Sequence, residues 1–197
     1  MKTFALLLIG VFSAAAMANA PTPSYTLDLS HSKIGFRVSH LGVSKVYGKF
    51  NKFEGAFKFD EKKKAVTDLQ IKVDATSIDT ADAKRDEHLK SPDFFNTAKN
   101  PTLEFKGTRL ETKGKDKGKL HGELTMNGVT KPVVLDVVYR GQVVDPWGNT
   151  KLGFEASGKL NRKEWGITWN KTLDKGGVVV GEEVELIIDG EATLSKT

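Results

Sequence analysis

The sequence predicts an all-β protein: about eight antiparallel strands, taken in chain order, closed into a barrel with short helices covering one end. Three observations predict it. Apolar residues alternate with polar ones in six separate runs, the pattern of strands with one buried face. The runs are joined by short polar or glycine-containing turns, so neighbours in sequence become neighbours in space. One stretch, between Ile78 and Pro101, lacks alternation and carries helix-forming residues instead. Strands joined this way make either a sandwich or an up-and-down barrel. Closure removes exposed edges, so the barrel is the expected form.

The chain opens on a different kind of segment. Lys2, the apolar run Phe4–Val11 and the small residues that follow have the pattern of a secretory signal, too short to span a bilayer comfortably. Two cleavage sites fit, after Ala18 and after Ala20. The second leaves Pro21 at the cut, where a proline amide resists cleavage, so residues 1–18 are the expected signal and 22–197 the single mature domain. The expected location is the periplasm, with no transmembrane segment in the mature chain.

The strands follow. Ile34, Phe36 and Val38 alternate with Gly35, Arg37 and Ser39; Leu69, Ile71 and Val73 alternate with Gln70, Lys72 and Asp74. Leu103 and Phe105 are flanked by polar residues. Leu120, Leu124 and Met126 share a face with Gly122, Leu152, Phe154, Ala156 and Leu160 form the next run, and Val184, Leu186 and Ile188 the last. Asn127-Gly128 calls for a two-residue type I′ hairpin, which needs positive φ at both positions. Glu61–Lys64, Gly114–Gly118 and Asp145–Asn149 read as further turns. In the non-alternating stretch, Thr80–Leu89 reads as helix, and Ser91-Pro92 starts a second helical turn carrying Phe94 and Phe95.

Composition excludes several chemistries. The chain has no cysteine, which removes disulfides, thiol catalysis and iron–sulfur clusters. There is no G-x-S-x-G, H-E-x-x-H, P-loop or G-x-G-x-x-G pattern, and His31, His40, His88 and His121 lack a paired metal-ligand spacing. The expectation is therefore a non-enzyme without cofactor or metal. Loss of Lys2 with the signal lowers the net charge from +5 to +4. The lysines are mixed with acids except at Lys62–Lys64 and across Lys113–Lys119, which read as solvated hairpin tips; export also argues against a nucleic-acid partner. Weak attraction to an anionic membrane surface stays open.

Inward-facing aromatics, with the small residues Gly48, Gly122, Ala156 and Gly158 beside them, hint at a cavity, since an eight-stranded barrel is either filled or just wide enough for one ligand. Arg85, Asp86 and His88 form the most suggestive polar cluster. They would either face a ligand's head group or pin the helix to the barrel.

Five segments resemble the YceI-like family of exported bacterial proteins: HSKIGFRVSHLGVSKVYGKF (His31–Phe50), RDEHLKSPDFF (Arg85–Phe95), PTLEFKG (Pro101–Gly107), GELTMNGVTKPVVLDV (Gly122–Val137) and GFEASGKLNRKEWGI (Gly153–Ile167). The similarity runs from about Tyr25 to Leu194. It implies a lipocalin-like, extended eight-stranded barrel that holds an isoprenoid quinone, a polyprenyl chain or another long amphiphile in an apolar tunnel, and that often forms homodimers. Lys163-Glu164-Trp165 departs from the family, where an arginine, an acid and Phe are more usual. The expected ligand-binding residues are Phe36, Val38, Phe50, Ile71, Val73, Phe94, Phe95, Phe105, Leu124, Leu135, Phe154 and Leu186 in the tunnel, with Arg85 and His88 at the head group. The competing expectations are a filled-barrel interaction protein linked to stress and an accessory factor in polyprenyl or quinone metabolism.

Overall fold

A computed structural model describes residues 22–174 and 176–195. The signal segment and its cleavage sites lie outside the described residues, except that the domain's expected start at residue 22 is the first one described. The strands are β1 (Ser24–Leu27), β2 (Lys33–His40), β3 (Ser44–Phe50), β4 (Phe53–Asp60), β5 (Ala65–Asp74), β6 (Ile78–Asp79), β7 (Thr102–Lys113), β8 (Lys117–Met126), β9 (Val129–Val144), β10 (Thr150–Asn161) and β11 (Val180–Leu194); helix α1 spans Ala83–Lys90.

Three pairs of strands are single staves with a break in the middle: β1 runs on into β2, β3 into β4, and β5 into β6. The eleven strands thus form eight staves, each antiparallel to its neighbour in sequence. The ring closes where β1 pairs with the far half of β11, matching Tyr25 to Leu194 and Leu27 to Ala192. The near half of β11 pairs with β2, matching Leu186 to Phe36. The fold is a closed eight-stave antiparallel barrel.

Side chains hold the breaks. Asp28 Oδ1 accepts the Ser30 amide (3.0 Å) and hydroxyl (2.6 Å), turning the chain between β1 and β2. The Asn51 amide donates to Ser77 O (3.1 Å) and the Lys52 amide to Ser77 Oγ (3.0 Å), so the breaks in the second and third staves satisfy each other. The Asn127-Gly128 hairpin has φ of 50° and 74°, as its type requires.

Asp82 caps α1 by accepting the Lys84 and Arg85 amides, and the helix stops at Lys90 because Ser91, preceding Pro92, is extended. The second helical turn expected from Ser91 is instead a hydrogen-bonded turn. The Phe94 and Asn96 amides donate to Ser91 O and the Phe95 amide to Leu89 O, and Asn96, at φ 48°, ends any helical run.

All the long connections emerge at one end. Residues 80–101, 162–174 and 176–179, with the 41–43 and 127–128 turns, make a helical end. Residues 61–64, 114–116 and 145–149, with both described termini, make a lysine end. Each end has its own packed cluster. Phe50, Ala75, Ile78, Phe94, Met126, Trp165 and Ile167 belong to the helical one, and Tyr25, Leu27, Phe57, Phe59, Leu69, Leu152 and Ala192 to the other. No helix among the described residues is long and apolar enough to cross a membrane.

Candidate functional site

Period two fixes which residues look inward, and the register then brings them together. Between the two packed clusters lies a cavity of about 220 Å³. Its wall includes Phe36, Val38, Phe50, Ile71, Val73, Phe94, Phe95, Phe105, Leu124, Leu135, Phe154 and Leu186, that is, every predicted tunnel residue. The sequence reading missed Ile34, Phe53, Leu103, Met126, Leu160, Ile167 and Ile188, which also line it. Ile34, Leu103, Met126, Leu160 and Ile188 sit on the same alternating faces as residues that were predicted, so their signal was present. Ile167 comes from the connection that follows β10 and has no periodic signal.

The cavity stays open because bulky side chains lie against inward-facing glycines on the neighbouring strand. Phe36 is paired in register with Gly48 and Phe154 with Gly190. A Cβ added at Gly48 would lie 2.3 Å from Phe36 Cζ, one at Gly190 2.2 Å from Phe154 Cζ, and one at Gly122 2.3 Å from Phe105 Cζ. Ile71 over Gly55 and Leu135 over Gly158 repeat the arrangement. The small residues make room by letting their neighbours fold flat, which leaves the lumen clear.

Polar side chains in this wall are few, and some of them belong to residues that face outward between inward-facing neighbours. Ser32 Oγ donates to Glu191 O (3.1 Å) and accepts the Glu191 amide (3.0 Å). Glu104 falls between inward-facing Leu103 and Phe105, which assigns its side chain to the outer face. Arg162 is the exception. Only 4% exposed, it opens the short 3-10 turn Arg162–Trp165, capped by the Asn161 side chain on the Lys163 amide. Its guanidinium donates to Gly181 O (2.9 Å), Ile167 O (2.8 Å) and Val180 O (3.4 Å). Burial lowers its pKa from the ordinary arginine value. No pattern in the sequence singles it out, because its partners are backbone carbonyls of a distant connection.

Arg85 and His88 do not join the cavity wall. Arg85 Nε donates to Thr80 Oγ1 and Nη2 to Thr80 O, both at 2.7 Å, while Asp86 Oδ1 accepts the Thr80 amide (2.9 Å) and hydroxyl (2.6 Å). His88 Nε2 sits 2.8 Å from Asp93 Oδ2, its ring packed edge-on against Phe94 and Trp169. This geometry braces α1 against the barrel. Trp165, 1% exposed, donates from Nε1 to Leu124 O (3.0 Å) and accepts the Asn127 side-chain amide at its carbonyl (3.1 Å), tying the connection to the β8–β9 hairpin.

Asp28, His31 and Glu191 bring potential metal-ligand atoms within 4.8 Å of one another. The Lys151 ammonium already lies between the two acids, 2.6 Å from Asp28 and 3.1 Å from Glu191, and supplies the positive charge they need. Its hydrogen bond to Asp28 holds that carboxyl far below the usual carboxylate range.

The family model of the YceI-like domain matches residues 25–192. Protein YceI of Escherichia coli O157:H7 is 43% identical over 196 residues, covering 98% of this chain and 96% of that protein. The crystal structure of Burkholderia cenocepacia BcnA superposes with a TM-score of 0.74 at 23% identity, covering 85% of this chain and 99% of that one. A polyisoprenoid binding domain from Saccharophagus degradans, implicated in plant cell wall breakdown, superposes with a TM-score of 0.65 at 12% identity, covering 88% and 99%.

Proposed function

This chain belongs to the YceI-like domain family, and from that premise we propose that it is a non-catalytic binding protein of the periplasm that holds or carries the apolar chain of an isoprenoid, quinone-like or other long amphiphile inside its barrel. The observation that carries the reading is the cavity of about 220 Å³ inside the barrel, its wall almost wholly apolar and kept open by side chains laid on glycines. An empty apolar void is costly, and cavities of about 150 Å³ lined by Leu, Ile and Phe stay dry and take apolar guests. The polyisoprenoid binding domain from Saccharophagus degradans, built on the same fold, supports the class of guest. The N-terminal Lys2, apolar run and small-residue cleavage sites support export.

A chain burying ~400 Å² gains on the order of 10 kcal/mol gross at ~25 cal/mol/Å², before association costs. A head-group hydrogen bond adds only ~1 kcal/mol net. Affinity therefore comes from the tail, and Arg162, the buried cation in the wall, is better placed than Arg85 or His88 to orient a polar head. Native mass spectrometry of protein purified from the periplasm without detergent, followed by organic extraction, tests the reading. A stoichiometric extra mass that extracts as a quinone or polyprenyl species supports it. A clean mass that stays unchanged after incubation with such lipids overturns it in favour of a filled barrel. The same spectra read whether two copies associate.

A further inference from the structure

The lysine end contains a second cavity, of about 120 Å³, which shares Phe57, Leu69, Leu120 and Phe154 with the first. These four side chains form a single layer between the two spaces, with the Phe57 and Phe154 rings edge to face at 6.1 Å. The inner part of the second cavity is apolar, closed by Phe59, Leu110 and Leu152. Its rim is different in kind from that of the first. Lys64, Lys115 and Lys117 reach it, against Asp116 in the rim and Glu61 beside Tyr139, and none of the three ammonium groups is within 4 Å of a carboxylate among the described residues. Tyr139 anchors this rim. Its amide donates to Asp116 O (2.7 Å), its hydroxyl to Glu61 (3.1 Å), and the Lys64 ammonium lies 4.6 Å from its ring centroid. Burial, with the neighbouring Glu61, pushes the Tyr139 pKa up to about 12, so the hydroxyl remains a donor and adds no negative charge.

We infer that the lysine end is a second binding site, taking a medium-chain amphiphile with a carboxylate head: the chain enters the apolar cavity up to the Phe57–Phe154 layer and the carboxylate stays at the rim among Lys64, Lys115 and Lys117. The apolar lining accounts for the chain and the ammonium groups without a carboxylate partner for the head. With three ammonium groups against the two acids Asp116 and Glu61, the mouth stays net positive, and a carboxylate there balances it. The site stands independently of what occupies the larger cavity.

Decanoate and decan-1-ol, titrated into lipid-free protein and followed by amide chemical shifts, test it. Decanoate is expected to move the amides of Gly118, Val137 and Tyr139 and to saturate at one equivalent in that set. The variant carrying K64Q, K115Q and K117Q should bind decanoate about tenfold more weakly and decan-1-ol as the wild type does. Val137→Phe, which fills the cavity without changing charge, should lose both ligands from that set. Shifts confined to Phe36, Leu124 and Leu186 would overturn the inference, as would undiminished decanoate affinity in the triple variant. Either result leaves the reading of the larger cavity to its own test.

Discussion

The two ends of the barrel share their staves and differ in what joins them. At the helical end, residues 80–101 and 162–174 fold back over the strands, burying Phe94, Trp165 and Ile167 and carrying Arg162 into the wall. At the lysine end, residues 61–64, 114–116 and 145–149 reverse the chain and contribute no fully buried side chain. The cluster there is built entirely from strand residues such as Tyr25, Phe57 and Leu152. One end is closed by tertiary packing of long connections and the other by the strands alone, with lysines left at the tips. Stability that depends on connections should therefore be concentrated at the helical end, while the lysine end should tolerate change in its turns.

Trp165→Ala should show this contrast most strongly. It removes a side chain 1% exposed together with its bond to Leu124 O, and should cost about 3–5 kcal/mol in urea unfolding. A cost near that of a surface substitution would erase the difference between the ends. Arg162→Met comes next, at about 2 kcal/mol, because the Gly181, Ile167 and Val180 carbonyls lose their donor while the cost of burying a charge is recovered. The same unfolding measurement checks it.

Much of this contrast was readable beforehand only on the strand side. Alternation located the inward faces, so the predicted strand residues of the cavity wall, Phe50 and Leu135 apart, follow from period two. The Asn127-Gly128 turn and the polar reversals at the lysine end are local chemistry and could be read directly. The ring-on-glycine pairs could not, because they need cross-strand register: Phe36 and Gly48 meet only once β2 and β3 are aligned. Arg162 was silent and Trp165 stood out only as a departure from the family pattern, because their partners are backbone groups set by a connection with no period. Arg85 and His88 attracted attention as polar residues on a helix, and their bonds to Thr80 and Asp93 are what such residues make when they fix an element in place.

A smaller pair of substitutions compares the two ends at one residue type. Gly48→Ala should drive the Phe36 ring into the lumen and weaken lipid binding by about tenfold, read as lipid retained per protein after extraction. Gly114→Ala, at φ 69° in an open turn, should cost about 1 kcal/mol of stability and leave the retained lipid unchanged. Equal lipid content in both variants would separate the glycine pairs from the cavity's function.

A weaker effect still concerns acid. Glu185 on β11 accepts from Lys45 Nζ and Arg37 Nε, each at 2.6 Å, and these partners lower its pKa from 4.5 to about 2. A lowered folded pKa means that its contribution is fully present above pH 4.5 and is lost as the pH falls toward 2. Melting temperatures of the wild type and Glu185→Gln should therefore differ modestly at neutral pH and converge across that window. A constant gap down to pH 2 would assign the stabilisation to something other than the carboxylate's charge.

Whether the larger cavity takes an apolar chain is decided by titrating lipid-free protein with a quinone bearing a decyl chain. Trp165 and Trp169 report from the helical end, in a Trp147→Phe background that removes the exposed indole. Saturable quenching at one equivalent per barrel, absent with the same quinone lacking its chain, is the predicted result. Quenching that rises without saturation, and equally for both quinones, would contradict it.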